Sequence, residues 1–316
     1  MTRASVVIPT RGRPDLLRRC LAALLAQDLS EPFEIIVAAD GPCDDTRAIV
    51  TSLLPPSHIN VRYLALPDQR GPAAARNAGW RRASGQVIAF TDNDCVPRPN
   101  WLRAGLAAFR DDVQAVRGRV VVPVDQPPTD HQRSTQGLEH ADFATANCFY
   151  RRAALEMLGG FDEAFTHAWR EDSDLYFRLL DADGAVASAP DAVVVHPVSP
   201  APFGISLVQQ RKSLFNALLY KKHPQHYRRR IQSLPPLHYY AAVFAAVIAL
   251  SARGHAGRVA AGVWLGITAT FAAYRLRDTA HHLTHVIDMI VTSILIPPVC
   301  VYWRLRGAVR FRTWFL

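Results

Sequence analysis

The stretch SVVIPTRGRPDLLRRCLAALLAQDLSEPFEIIVAAD, residues 5–40, decides the fold class. It opens with a short apolar run rich in valine and isoleucine, and it closes with a second such run at 34–40. Between the two runs, residues 15–27 place leucines at the spacing of one helix face. A strand, a helix and a second strand in this order predict a β-α-β unit and therefore a parallel sheet.

The same alternation continues as far as residue 92. We predict a helix over 44–53, a strand over 61–66, a helix over 73–83 and a strand over 86–92. The repeat is typical of a doubly wound, Rossmann-like α/β domain, in which ligands bind beyond the carboxyl ends of the strands. The candidates for function at those ends are Pro9, Thr10, Arg11, Asp40, Gly41, residues 68–71, Asp92, Asn93 and Asp94.

Charge and apolar content divide the chain into two parts. Of its 316 residues, 1–203 carry 21 Lys and Arg against 25 Asp and Glu, whereas 204–316 carry 15 against 2. The basic part is also the more apolar one, so the whole-chain charge of +9 does not indicate nucleic-acid binding. Five cysteines without a CxxC pair argue against a disulfide framework or a structural zinc site, and favour reduced thiols.

Three apolar runs lie near the end of the chain, at 234–252, 259–274 and 283–303. The first and third approach the roughly 20 residues that a membrane-spanning helix needs, whereas the second, with 16, is short. Arginines flank every run, which is typical of anchoring at anionic lipid headgroups; the alternative is a buried helical bundle. No signal-peptide pattern precedes Ser5, so we expect the N-terminal part on the cytoplasmic face of the inner membrane.

The segment VIAFTDND, residues 87–94, ends a predicted buried strand in two aspartates. In an extended segment Asp92 and Asp94 would project to the same side and could share one Mg²⁺ or Mn²⁺. An ordinary turn is the alternative interpretation of Asp-Asn-Asp.

Residues 3–200 resemble the family 2 glycosyltransferases of the GT-A fold. Five segments carry the resemblance in order: SVVIPTRGRPDLLRRCL, EIIVAADGPCDDT, GPAAARNAGWRRASGQVIAFTDNDCVPRPNWL, ANCFYRRAALEMLGGFDE and WREDSDLYFRL. The resemblance implies a mostly parallel catalytic domain that uses a nucleoside-diphosphate sugar and Mn²⁺ or Mg²⁺, usually with inversion at the anomeric carbon. One departure is ADGP at 39–42, where the family often has DDGS.

The resemblance also implies roles for individual residues. Around the nucleotide it places Pro9, Thr10, Arg11, Asp40, Arg76 and Asp92, and at the metal Asp92, Asp94 and His196. It makes Asp172 the general base, and it brings Glu171, Trp169 and Asn147 next to the acceptor and the donor sugar.

Structural alternatives exist for two of these assignments. Acids at 171–174 precede the apolar positions of a predicted helix and suit its N-terminal dipole. His196 ends the strand-like run AVVVH, where backbone groups could satisfy its ring. For Glu171, the alternative to contact with the acceptor is that it orients the loop around Asp172.

Together these features predict a GT-A domain over 1–203, a basic interfacial linker over 204–233 and a hydrophobic, helical, membrane-associated region over 234–316. We expect a hexosyltransferase that moves sugar from a nucleotide sugar, first a UDP-sugar, to a lipid-linked or membrane-proximal glycan in polysaccharide or glycolipid biosynthesis. Its partners would be that donor, that acceptor and anionic membrane lipids, and not nucleic acid. The alternative is a non-catalytic, nucleotide-sugar-binding membrane scaffold.

Overall fold

The computed structural model describes residues 3–315, which form two compact units. Unit 1 comprises residues up to 123 together with 136–197. Unit 2 comprises residues 124–135 and those from 198 onwards. The short segment 124–135 therefore packs with the C-terminal helices, although it interrupts the sequence of the α/β unit.

Unit 1 is built on one eight-stranded sheet. Its strands are β1 (Ala4–Thr10), β2 (Phe33–Ala39), β3 (Ile59–Ala65), β4 (Val87–Phe90), β5 (Val96–Pro97), β6 (Val113–Val121), β7 (Cys148–Arg151) and β8 (Ala185–Val195). They lie in the order β3-β2-β1-β4-β7-β6-β8-β5. The pairings among β1 to β4 are parallel, as is that of β6 with β8, whereas β7 is antiparallel to both of its neighbours.

The helices that connect these strands follow from the sequence pattern. They are α1 (Pro14–Leu25), α2 (Asp44–Thr51), α3 (Pro72–Arg82), α4 (Trp101–Ala107), α5 (Asp130–Gln136), α6 (Arg152–Leu158) and α7 (Glu171–Asp181). Helix α1 starts with Pro14, whose fixed φ suits the first helical position, and it buries Leu17, Leu21 and Leu24 on one face. The predicted alternation of strands and helices through residue 92 is confirmed.

The core of unit 1 forms where the helices pack on the sheet. Val7 and Ile36 from the sheet are fully or almost fully buried with Trp80, Phe90 and Tyr150. Strands β1 and β2 are buried along their whole length, as expected for parallel strands covered on both faces. This packing fixes the strand ends from which the polar residues project.

Unit 2 is helical. Its helices are α8 (Ile205–Gln209), α9 (Ser213–Lys222), α10 (Pro224–His226), α11 (Leu237–Ser251), α12 (His255–Leu276) and α13 (Leu283–Arg310). Helices α12 and α13 are long and apolar enough to cross a membrane, judged by length and composition.

All three long helices of unit 2 differ in length from the apolar runs that predicted them, and α13 has 28 residues where its run has 21. Helix α11 has only 15 residues, because Pro235 and Pro236 precede it and Gly254, with φ of 77°, follows closely. Helix α12 has 22 residues, because the helix continues through the charged turns on both sides of the apolar run. The second run, the shortest of the three in sequence, thus forms a longer helix than the first run does.

Candidate active site

Neighbouring strand ends bring polar residues together at one edge of the sheet in unit 1. Strand β1 lies between β2 and β4, so Thr10 is adjacent to Asp40 and to the residues that follow Phe90. The backbone N–H of Asp40 donates to the Thr10 carbonyl at 2.9 Å, and the Asn93 side-chain amide donates to the Thr10 hydroxyl at 2.9 Å. The polar strand ends singled out in the sequence are therefore contiguous.

Residues 92–95 form a turn and not the extended segment that we predicted. The backbone N–H of Cys95 donates to the Asp92 carbonyl at 3.1 Å, three residues earlier in the chain. Side chains in a turn do not alternate between two faces, so the alternation from which we predicted that Asp92 and Asp94 project to the same side does not apply here. The two carboxylates instead contact different partners.

Arg76 connects the Asp92 turn to the start of helix α7. Its Nη2 donates to Asp92 Oδ1 at 2.7 Å and its Nη1 donates to Glu171 Oε1 at 2.9 Å. The guanidinium is almost fully buried and lies 5.7 Å from the centroid of the Phe161 ring. Burial alone would lower the pKa of Arg76, but Asp92 and Glu171 more than offset it and hold the pKa above its usual value.

Asp94 lies on the other side of the turn. Its Oδ1 is 3.6 Å from His196 Nε2, and its Oδ2 accepts a hydrogen bond from Arg13 Nη1 at 3.2 Å. Burial and the nearby Asp92 carboxylate raise the pKa of Asp94, while His196 and Arg13 oppose the rise. The sequence therefore identified a real neighbour in His196, 102 positions further along the chain.

The donor atoms around Asp94 fit a divalent cation. Ligand atoms of Asp94, Cys95 and His196 all lie within 4.8 Å of one another. Asp94 Oδ1 and His196 Nδ1 are buried without a hydrogen-bond partner, which is costly unless another group satisfies them. Asp92 is not a member of this group of atoms, so the structure supports Asp94 and His196 as the ligand pair more directly than Asp92.

Glu171 and Asp172 occupy the first turn of helix α7. Glu171 is buried against Arg76, so it positions the guanidinium and the start of the helix, the second of the two roles considered from the sequence. Burial raises the pKa of Glu171, Arg76 opposes the rise, and Asp172 adds to it.

Asp172 keeps part of its side chain accessible, unlike Glu171. Its Oδ1 accepts hydrogen bonds from the Ser173 backbone N–H at 2.7 Å and from the Ser173 hydroxyl at 3.3 Å. Burial raises the pKa of Asp172 against these two hydrogen bonds. Its carboxylate therefore holds a proton more readily than an ordinary aspartate does.

Asp40 fixes the loop that leads into helix α3. Its Oδ1 accepts the backbone N–H groups of Arg70 at 2.6 Å and of Gly71 at 2.9 Å. Gly71 has φ of 97°, and a Cβ there would lie 2.5 Å from the Thr166 carbonyl oxygen. Only glycine fits where the backbone at residue 71 approaches that of Thr166 so closely. Asp40 and Gly71 together therefore set the position of the helix that carries Arg76.

The remaining predicted nucleotide-site residues lie at the end of β1. Pro9 is a buried strand residue that lies opposite Ala38 of β2. Arg11 donates a side-chain hydrogen bond to Gln69 in the loop before α3. Contact of Pro9, Thr10, Arg11 and Asp40 with a nucleoside stays a prediction.

Two predicted sugar-site residues have contacts within the unit. Asn147 is buried and donates both amide hydrogens, to the carbonyls of Arg119 at 2.9 Å and Ala192 at 2.8 Å, while its oxygen accepts from Trp101. Its donors are committed to joining β6 and β8, so we do not include it in the proposed site. The Trp169 ring is stacked 4.4 Å from the Arg170 guanidinium, and its contact with an acceptor stays a prediction.

Sequence reasoning missed Arg13 and Cys95. Arg13 precedes helix α1 with φ of 63°, a left-handed conformation that no local pattern indicated. Cys95 follows Asp94 directly, and that adjacency was the available signal.

The strand order and the acidic edge of the sheet agree with the GT-A fold that the sequence resemblance implied. Residues 5–170 match the family described as Glycosyl transferase family 2, and the chain belongs to this family.

Several relatives are named glycosyltransferases. The Pre-mycofactocin glycosyltransferase of Mycobacterium tuberculosis is 31% identical over 208 residues, 61% of this chain and 42% of that protein. Glycosyltransferase AglE of Haloferax volcanii is 28% identical over 65% of this chain and 70% of its own length. Validoxylamine A glucosyltransferase of Streptomyces hygroscopicus is 39% identical over 55% of this chain and 50% of its own. The chain thus spans half or less of two of these proteins.

Solved structures share the fold at low sequence identity. The mannosyltransferase PcManGT from Pyrobaculum calidifontis, in complex with GDP-Man and Mn²⁺, has a TM-score of 0.55 at 18% identity, covering 98% of this chain and 87% of that one. TarS residues 1–349 from S. aureus, in complex with UDP-GlcNAc, has a TM-score of 0.51 at 13% identity, covering 100% and 93%. At these identities the likeness shows the fold.

Proposed function

We propose that this chain is a metal-dependent, inverting glycosyltransferase that takes a sugar from a nucleoside diphosphate and passes it to a lipid-linked or membrane-proximal glycan. Membership of Glycosyl transferase family 2 supports sugar transfer. Fold relatives solved with GDP-Man and with UDP-GlcNAc support a nucleotide-sugar donor, with a UDP-sugar as the first to test.

The observation that carries this proposal is the bridge made by Arg76. One buried guanidinium holds both the Asp92 turn and the start of helix α7, with contacts of 2.7 and 2.9 Å. The cation ligands next to Asp92 and the base next to Glu171 are thereby fixed within one rigid part of unit 1. A transferase needs this arrangement, because the leaving group and the incoming hydroxyl react at the same carbon.

Asp94 and His196 would hold the divalent cation. When bound, such a cation stabilises the negative charge that develops on the departing diphosphate. Two carboxylates, those of Asp92 and Glu171, pair with the single buried guanidinium of Arg76, so this cluster carries a formal negative charge that a dication would offset.

Asp172 would take the proton from the acceptor hydroxyl. Its described hydrogen bonds both fall on Oδ1, so Oδ2 is the oxygen to receive the proton. Burial raises the pKa of Asp172, which brings a carboxylate closer to the proton affinity that a general base needs. Direct attack by the acceptor oxygen on the face opposite the leaving group inverts the anomeric carbon.

Unit 2 would anchor the enzyme at the cytoplasmic face of the inner membrane, with residues 1–203 as the catalytic region, 204–233 as an interfacial linker and 234–316 in contact with lipid. Helices α11 and α12 expose large apolar side chains, including Phe244, Val247 and Leu265. Arginines at the helix borders suit anionic headgroups.

Calorimetric titration of the detergent-solubilised full chain with UDP, GDP and dTDP tests the donor site. We expect one nucleotide to bind with Mn²⁺ and to lose binding in EDTA. Asp94→Asn should weaken this binding at least about tenfold, because it removes a cation ligand, whereas Asp191→Asn, at an exposed position of β8, is the matched control. Equal binding with EDTA, or no effect of Asp94→Asn, would contradict the proposed cation site.

Membrane anchoring is tested by sedimentation of the chain expressed with native lipids at physiological salt. Replacing Val263 and Leu265 of α12 by lysine should move the protein from the pellet to the supernatant, since lysine is costly in hydrocarbon. Leu54→Lys, at a still more exposed leucine of unit 1, is the control and should not change sedimentation. Wild-type protein that stays in the supernatant would refute the anchor.

A further inference from the structure

The cation ligands in unit 1 include a sulfur atom. Cys95 follows Asp94 in the turn, and its thiol lies within 4.8 Å of both the Asp94 carboxylate and the His196 imidazole. Asp94 Oδ1 and His196 Nε2 are 3.6 Å apart.

These separations suit a small tetrahedral cation. Zinc bonds of about 2.0 Å to nitrogen or oxygen and about 2.3 Å to sulfur place tetrahedral ligands roughly 3.5 Å apart. The Asp94 to His196 distance is close to this value, and the thiol, within 4.8 Å of both ligand atoms, is placed to be the third ligand. Asp94 and His196 each keep 15% of the side chain exposed, which gives an ion a path to the buried sulfur.

The ligand chemistry distinguishes between cations. Mn²⁺ and Mg²⁺ prefer oxygen ligands in octahedral geometry, whereas Zn²⁺ takes thiolate, imidazole and carboxylate together. One atom of the cluster, Asp94 Oδ1, is buried and lacks a hydrogen-bond partner, so it gains from coordination.

We propose that Asp94, Cys95 and His196 form a zinc site that overlaps the catalytic cation site, and that Zn²⁺ bound there excludes Mn²⁺ and stops transfer. Zn²⁺ takes Cys95 as the thiolate, and the displaced thiol proton goes to the buffer. A water molecule completes the fourth position. The inference rests on the proposed cation site at Asp94 and His196, although it does not depend on which sugar or acceptor the enzyme uses.

The sulfur ligand is tested by titrating the full chain with Co²⁺, a spectroscopic substitute for Zn²⁺. We expect a thiolate-to-cobalt charge-transfer band in the near ultraviolet for the wild type and none for Cys95→Ser. Cys20→Ser is the matched control, because Cys20 is also buried and contacts the Asp92 carbonyl yet lies outside the cluster, so its band should persist. A wild type that binds Co²⁺ without the band, or a Cys95→Ser variant that retains it, would overturn the proposal.

Competition between cations is read from the electron paramagnetic resonance signal of free Mn²⁺. The Zn²⁺ concentration that displaces half of the bound Mn²⁺ should rise at least about tenfold in Cys95→Ser. Loss of a residue that merely supports a metal ligand already lowers metal affinity about 10- to 100-fold, and Cys95 would be a ligand itself. Equal displacement in both proteins would refute the zinc site.

Two outcomes separate this inference from the proposed function. Mn²⁺-dependent nucleotide binding without a cobalt–thiolate band would refute the zinc site and leave the transferase proposal intact. A cobalt–thiolate band without Mn²⁺-dependent nucleotide binding would support the zinc ligands and refute the transferase proposal. If Cys95→Ser does not fold, Cys95→Ala replaces it, and absence of the band from the wild-type spectrum would still overturn the proposal.

Discussion

Both units bury arginine side chains, Arg76 in unit 1 and Arg275 and Arg304 in unit 2, and the partners of Arg76 and Arg275 differ. In unit 1, Arg76 pairs with two carboxylates, those of Asp92 and Glu171. In unit 2, Arg275 pairs with one carboxylate, that of Asp130 at 2.7 Å, and donates its other hydrogen bonds to hydroxyl groups. The first cluster carries surplus negative charge, whereas the second is neutral.

This difference explains what each buried charge does. A neutral cluster inside apolar helices holds residues 124–135 to helices α12 and α13 and needs no further ligand. An acidic cluster at a strand edge has a residual charge that a cation can offset. The comparison predicts that removing Arg76 disables a site and that removing Arg275 only loosens a packing contact.

Arg76→Ala should have the largest effect. It leaves Asp92 and Glu171 without their cation, and breaking a buried pair in this way costs about 3–5 kcal/mol. Urea unfolding followed by tryptophan fluorescence should show this loss in free energy of unfolding, and nucleotide binding with Mn²⁺ should disappear. Arg81→Ala, at an exposed position of the same helix, is the control and should change neither. Full nucleotide binding by Arg76→Ala would contradict the functional role that we assign to the buried arginine of unit 1.

Arg275→Ala should have a smaller and purely structural effect. Asp130 keeps 23% of its side chain exposed, so water replaces part of what it loses, and we expect about 1.5–3 kcal/mol, the range for hydrogen bonds to charged groups. Thermal unfolding in detergent should show a lower midpoint, while Mn²⁺-dependent nucleotide binding stays unchanged. Arg277→Ala, two residues away and exposed, is the control. Loss of nucleotide binding in Arg275→Ala would show that the two clusters are coupled.

Asp172→Asn should stabilise the cation-free protein. Burial raises the pKa of Asp172 above its unfolded value, so the folded chain binds the proton more tightly and wild-type stability falls as pH rises through the window between the two values. Asparagine does not ionise, so the variant does not lose stability in this way as the pH rises. Its melting temperature should exceed that of the wild type by about 2–4 °C at pH 8, the shift that about 1 kcal/mol produces in a chain of this size.

The pH dependence is the sharper part of that prediction. The difference between Asp172→Asn and the wild type should vanish at about pH 4 and below, where the unfolded aspartate is also protonated. Asp191→Asn, at an exposed carboxylate of β8, is the control. A difference that does not change with pH would contradict the assigned cause.

Local sequence patterns predicted much of the fold and the neighbours of the site. Strands β1 to β4 and helices α1 to α3 lie where periodicity placed them, because each is a continuous segment with its own apolar face. The position of β7 between β4 and β6 could not be predicted in this way, since pairing between distant strands leaves no local pattern.

The parts of the structure that the sequence did not predict have similar physical causes. Residues 92–95 form a turn where we expected an extended segment, because the Cys95 backbone N–H bonds to the Asp92 carbonyl. Asn147 next to the sugar stays a prediction; its amide bonds to Arg119 of β6, Ala192 of β8 and Trp101 of α4, contacts that no local pattern indicated. The contact of Asp130 with Arg275 joins residues 145 positions apart, and nothing around either residue indicated the other.

Sugar transfer by Asp172→Asn tests the central claim most directly. The donor would be the sugar form of the nucleotide that binds with Mn²⁺, carried as a radiolabel, and native membranes would supply the acceptor. We predict that Asp172→Asn binds the nucleotide as tightly as the wild type and transfers label at least about 100-fold more slowly, the smaller end of a general base's contribution. Transfer at the wild-type rate would contradict the account, because the acidic cluster of unit 1 would then lack its base.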